Sequence, residues 1–174
     1  MSQMQDRDSA EIARKMITPL QPREFFRGNW KGEGRLIAHS LLRWLVPEER
    51  IHLSSEARWL SETIWIVTDH FEFSSGRIID RKMFAELVAL DRVHVTADDM
   101  PLGADILLFE DGFQFTPYLV LAAYKGRMYR VRCKDKCRID ADGYVWDEID
   151  IYLCGLPVAR MELGPIDRCA GIHL

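Results

Sequence analysis

The chain has 174 residues, 27 acidic against 23 basic side chains for a net charge of −4, and is 48% hydrophobic and 29% charged. One domain of this size buries a core without staples, and the composition excludes a disordered, collagenous or coiled-coil chain. The acidic balance argues against a general nucleic-acid binder, and the absence of any run of about 18 apolar residues argues against a membrane span.

Three segments are expected: an N-terminal helical segment at 1–24, a barrel at 25–164 and a C-terminal tail at 165–174. Asp8, Ser9 and Glu11 precede Ile12, Ala13 and Met16 as the cap of a short amphipathic helix that Pro19 and Pro22 end. The same stretch lacks the apolar centre of a signal peptide, which predicts a soluble, cytoplasmic protein.

From Gly28 to Leu163 the period changes to two. Turn residues at Ser74-Ser75-Gly76, Asp111-Gly112, Lys125-Gly126, Asp140-Ala141-Asp142-Gly143 and Cys154-Gly155 divide the alternating runs, with a helical turn only at Ser40 to Trp44. The expected fold is all-β, an antiparallel up-and-down barrel of about 8–10 strands, because closing such a meander removes its edges.

Paired residues of an antiparallel ladder share a face, so turn positions fix which side chains point inward. A turn centred on Ser75 sets Trp65 against Ala85, Val67 against Met83, Asp69 against Arg81 and Phe71 against Ile79. A turn centred on Glu62 sets Trp59 against Trp65 and Ser55 against Asp69. Opposing Leu87 to Val93 brings Ala97 to Met83 and Asp99 beside Arg81. Four strands thereby share an apolar inner face that holds Ser55, Asp69, Arg81 and Asp99, while His39, His52, His70 and His94 point outward.

A two-residue turn at Lys125-Gly126 pairs Ala122 with Tyr129, Val120 with Val131, Tyr118 with Cys133 and Thr116 with Asp135. Arg130, Arg132, Lys134, Lys136 and Arg138 then form an outer basic row, which reads either as a solvated face or as a docking stripe for an anionic partner. Pro117 predicts a bulge or corner. The register of Tyr144 to Leu153 is left open. Cys133 and Cys137 lie on one strand face about 13 Å apart, too far for a disulfide. With Cys154 and Cys169 isolated, no zinc framework arises and no metal is expected.

The segment Phe26-Arg27-Gly28-Asn29-Trp30-Lys31-Gly32-Glu33-Gly34 resembles the opening of the lipocalin and fatty-acid-binding (calycin) superfamily, which carries Gly-x-Trp here. Thr96-Ala97-Asp98-Asp99-Met100 and Tyr129-Arg130-Val131-Arg132-Cys133-Lys134-Asp135-Lys136 are similar to a bacterial lipocalin-like family of unknown function. The resemblance implies that Trp30 plugs the closed barrel end and that a late-strand Arg covers its ring; Gly28, Trp30 and Arg160 match that signature. The missing disulfide and secretion signal depart from secreted carriers. A haem-binding branch of the superfamily uses an axial His, for which His173 is the residue available; otherwise no cofactor is implied.

The inward residues carry the functional expectation. A carboxylate and a guanidinium withdrawn from water need each other or a ligand, so Asp69 and Arg81 are either a closed pair or polar contacts for a bound molecule. Gly32 and Gly34, which share the face of Trp30, are expected to leave cavity volume or to relieve strain where the strand coils sharply, two readings that are compatible. The leading reading is a cavity for a small, mostly apolar molecule, anionic if Arg81 anchors it, contacted by Arg81, Asp69, Ser55, Trp65, Phe71, Tyr118 and Tyr129. Two alternatives stay open. One is an isomerase, cyclase or lyase with Asp69 or Asp135 as base and Tyr118 or Arg81 stabilising negative charge; the other is a structural or interaction barrel with a filled interior. A homo-oligomer is compatible with either.

Overall fold

The computed structural model describes residues 20–43 and 47–169. The expected helix at Ser9 to Met16 and His173 lie outside the described residues. A one-turn helix α1 (Pro22–Phe25) leads into β1 (Gly28–Ala38), and a 3₁₀ turn at Ser40–Leu42 follows. Pro22, expected to stop a helix, starts one instead, since its fixed φ and missing N–H suit the first helical position. The strands continue as β2 (Glu49–Trp59), β3 (Ile64–Phe73), β4 (Ile78–Ala89), β5 (Arg92–Ala97), β6 (Met100–Phe109), β7 (Gly112–Phe115), β8 (Tyr118–Tyr124), β9 (Arg127–Ile139), β10 (Val145–Leu153) and β11 (Leu156–Cys169).

All pairings among the described strands are antiparallel. β11 joins β1, and β10 joins both β11 and β9, which closes the sheet on itself. β7 and β8 lie end to end along one edge of β9, so they form one interrupted strand and the barrel has ten staves. The break is at Thr116-Pro117, where one extra residue shifts the register: Phe113 pairs with Cys137, whereas Tyr118 pairs with Cys133. Proline cannot donate to a ladder, and a bulge is where a strand accommodates it.

The register expected from turn positions holds through the first half. Ser55 faces Asp69, Trp59 faces Trp65, Asp69 faces Arg81 and Leu87 faces Val93. Lys125 and Gly126, at φ 48° and 76°, make the two-residue turn that sets Tyr118 opposite Cys133. Thr116 does not reach Asp135. Its Oγ1 accepts from the Asp105 N–H at 3.1 Å, because the bulge rotates it out of the β8 ladder.

The last strand corrects three expectations. It does not end near residue 164 but runs to Cys169, pairing Ile166 with Gly32 and Arg168 with Trp30. The cation on Trp30 is therefore Arg168, 4.6 Å from the ring centroid, which also donates to the carbonyls of Glu24 and Phe25 at 2.6 and 2.7 Å. Arg160 instead points to solvent and pairs with Asp150 at 2.7 Å. Nor do Gly32 and Gly34 open volume. A Cβ on Gly32 would lie 2.8 Å from Ile166 Cγ1, and one on Gly34 would lie 2.7 Å from Leu163 Cδ2, so both glycines let β11 approach closely.

The outer face is as the alternation requires. Arg130, Arg132, Lys134, Lys136 and Arg138 are exposed, and Glu148 and Asp150 stand opposite Lys136 and Lys134. Those acids suit the solvated reading of the row. His70 lies outside between Asp80 and Glu72, whose hydrogen bonds at 2.6 and 3.0 Å raise its pKa, and His94 meets Asp105 at 2.8 Å. No helix among the described residues is long and apolar enough to cross a membrane.

Candidate functional site

Ten strands around one axis leave more room than small side chains fill. A cavity of about 140 Å³ lies inside the half of the barrel that α1 covers. Phe25 and Phe26 form its lid, Trp30, Trp65, Phe113 and Phe115 give aromatic walls, and Ala57, Val67, Met83, Ala85 and Val95 complete one side. The aromatic groups hold one another. Trp65 stacks on Trp59 at 4.4 Å and on Phe26 at 5.4 Å between ring centroids. Trp59 Nε1 donates to the Phe26 carbonyl at 2.5 Å, which ties the lid to β2.

Polar side chains occupy one belt across the middle of the barrel. Ser55 donates to Asp69 Oδ1 at 2.6 Å, and Arg81 Nε donates to Asp99 Oδ1 at 3.2 Å. Tyr118 donates its phenolic proton to Asp135 Oδ2 at 3.1 Å. Asp147 pairs in register with Cys137, and Asp135, Cys137 and Asp147 bring one ligand-type atom each within 4.8 Å of the others. Ser55, Asp69, Cys137 and Asp147 belong to the cavity wall. Among the described residues, four buried atoms have no hydrogen-bond partner: Trp65 Nε1, an Arg81 terminal nitrogen, Asp135 Oδ1 and Asp147 Oδ1. Orphan polar groups in an interior are uncommon and costly, and they mark places where a further molecule is accommodated.

Burial dominates the protonation of this belt. It pushes Asp69 above the ordinary carboxylate range despite the Ser55 hydroxyl, and it pushes Asp147 up to about 6. Asp135 is raised further, by burial and then by the neighbouring Asp147, since two adjacent carboxylates resist ionising together. Burial likewise raises Tyr118 and Cys137, and lifts Cys133 to about 12. The carboxyl groups of Asp135 and Asp147 are raised in the same direction and resist losing both protons together, so they titrate as a pair.

Of the residues expected at a site, Ser55, Trp65, Asp69 and Trp30 meet at the cavity. Tyr118 and Asp135 are hydrogen-bonded to each other behind its wall. Arg81 stands off the wall with Asp99, so the cross-strand partner Asp69 is not its ion-pair partner. Phe71 and Tyr129 pack against the core away from the cavity. Gly28, exposed at φ 79°, serves the bend between α1 and β1. The residues missed are Asp147, Cys137, Arg168 and the lid pair Phe25 and Phe26. Period two in Val145-Trp146-Asp147-Glu148-Ile149 carried a signal for the first, since it groups Asp147 with Val145 and Ile149.

No protein-family model and no curated protein matches the chain. Among solved structures, the chain is similar to a protein of unknown function from the DUF3598 family of Nostoc punctiforme PCC 73102, at 14% identity and a TM-score of 0.58. The likeness covers 87% of this chain and 50% of that one, so the chain spans about half the length of that structure. A de novo designed fluorescence-activating β-barrel is similar at 12% identity over 83% of this chain and 96% of that one, with a TM-score of 0.40. The first likeness is one of fold, and the closed ten-stave barrel fits a calycin-like architecture.

Proposed function

We propose that this barrel, calycin-like in kind, binds one small, mostly apolar molecule in the cavity under α1. The observation that carries the reading is a cavity walled by aromatic rings and lined by a few polar side chains, Ser55, Asp69 and Asp147, with buried polar atoms of two lining residues, Trp65 Nε1 and Asp147 Oδ1, left without a partner among the described residues. Ligand pockets combine apolar walls with a few placed polar groups in this way. Its volume of about 140 Å³ is close to that of an engineered cavity of about 150 Å³ that holds benzene, so a single six-membered ring with a short substituent is the right size. An anion anchored on Arg81 is disfavoured, since Arg81 is engaged by Asp99 and stands off the wall while carboxyl groups stand on it. The reading is tested by titrating toluene and indole against tryptophan fluorescence, with Ala57→Leu as the filled-cavity variant. Saturable binding that Ala57→Leu removes while the fold is retained supports it; no binding of either probe overturns it.

A second reading, proton abstraction in an isomerase, cyclase or lyase, is favoured by one observation. Asp147 is on the cavity wall with its pKa pushed up to about 6 by burial and with the raised carboxyl of Asp135 as a neighbour, which suits a general base near neutral pH. It shifts the base from Asp135, which is behind the wall, to Asp147 or Asp69. Catalysed exchange of an acidic C–H into deuterated water, with a rate that rises through about pH 6, would distinguish it from binding alone. A barrel with a filled interior, the third reading, has no such observation in its favour.

A further inference from the structure

Resting on the binding reading above, we infer that the ligand's polar end is a cation: a protonated amine on a small apolar body, its ammonium against Asp147 and Asp69 and its body among the aromatic rings. The sign of the charge follows from the walls. Two carboxyl groups line the cavity, and no Lys, Arg or His lines it among the described residues. Arg81, the guanidinium of the belt, is paired with Asp99, and no ion pair links it to Asp69, Asp135 or Asp147 among the described residues. Arg81 acts on Asp69 and Asp135 without a direct ion pair, so three interior carboxyl groups share one guanidinium that is itself paired with Asp99, a shortage of positive charge that a buried site meets by holding protons or by admitting a cation.

Two further features point the same way. Asp147 Oδ1 is buried and accepts no hydrogen bond, whereas an ammonium offers three donors and needs no acceptor. The cavity wall is also aromatic, with Trp65 5.4 Å from Phe26 and Phe25 5.0 Å from Trp30 between ring centroids, and aromatic rings are favourable neighbours for a desolvated cation. A metal dication on Asp135, Cys137 and Asp147 would also supply charge, and their spacing within 4.8 Å suits it. It would leave Asp69 and the aromatic cavity without a role, and for that reason the organic cation is favoured.

The test uses three probes with one body and different polar ends, benzylamine, benzyl alcohol and benzoate, together with zinc chloride, each titrated calorimetrically into the full chain at neutral pH. Benzylamine is expected to bind roughly tenfold or more tightly than benzyl alcohol, and benzoate more weakly than either, as a charge-assisted contact in a dry site requires. Asp147→Asn is expected to lower benzylamine affinity toward that of the alcohol. If the alcohol binds as tightly as the amine, or benzoate more tightly, the cavity reading stands and the cation inference falls. If none of the three organic probes binds, both fall. Tight zinc binding with no preference for the amine assigns the carboxyl groups to a metal and overturns the inference. The comparison on the unsubstituted chain decides the matter even if the variant does not fold.

Discussion

The guanidinium of Arg168 lies 4.6 Å from the centre of the Trp30 ring while donating to two carbonyls of the segment that forms the lid. One side chain near the end of the last strand thus fastens the first strand, with its Trp30 in the cavity wall, to α1. Replacing Arg168 by Ala is expected to cost roughly 1–3 kcal/mol, the sum of a cation–π contact and charge-assisted hydrogen bonds at a partly screened site. Lysine should recover only part of this, since it lacks the planar fork. Arg160→Ala, which removes a surface pair with Asp150, should cost less than about 1 kcal/mol. Urea midpoints of the three variants check the order; equal losses at 160 and 168 would refute it.

Stability should fall as pH rises, against the habit of most carboxylates. Asp147 titrates near 3.8 in the unfolded chain and at about 6 in the fold. Between those values the folded state holds a proton that the unfolded state has lost, so its contribution is full below about pH 4 and is gone above about pH 6. The difference corresponds to roughly 3 kcal/mol. Asp69 and Asp135, raised in the same direction, add to the slope. Thermal unfolding of the unliganded protein should give a higher Tm at pH 5 than at pH 8, and Asp147→Asn should flatten the difference.

Thiol chemistry should separate the cysteines. Cys154 is exposed, whereas Cys133 and Cys137 are buried, the first with its pKa lifted to about 12 by burial. At pH 8 it is the thiolate that attacks a disulfide reagent and expels its thiol half, so Cys154 is expected to react first and the two β9 thiols only after denaturant is added. Peptide mapping of the labelled protein identifies the order.

A methyl group on Gly34 would meet the Glu162 carbonyl and lie 2.9 Å from the Leu163 Cα, backbone that cannot swing aside. Gly34→Ala should therefore cost roughly 3 kcal/mol, at the upper end of overpacking effects. The effect on unfolding free energy should exceed that of Ser54→Ala on the neighbouring strand, which pairs outward with His70.

What the sequence determined by itself was the repeat of polarity and the position of each tight turn. Side chains alternate strictly along a strand, and a short hairpin sets its own register, so the pairings Asp69 with Arg81 and Tyr118 with Cys133 follow from local information. Tertiary structure decided everything that depends on closure. Whether Arg160 or Arg168 covers Trp30 and whether Asp147 joins the acids at the cavity are set by how far β11 runs along β1 and where β10 meets β9. No local rule connects residues more than 130 positions apart, as Trp30 and Arg168 are. The belt of acids is legible as single inward residues in each strand. Its excess of negative charge exists only once the barrel closes and takes those residues out of water together.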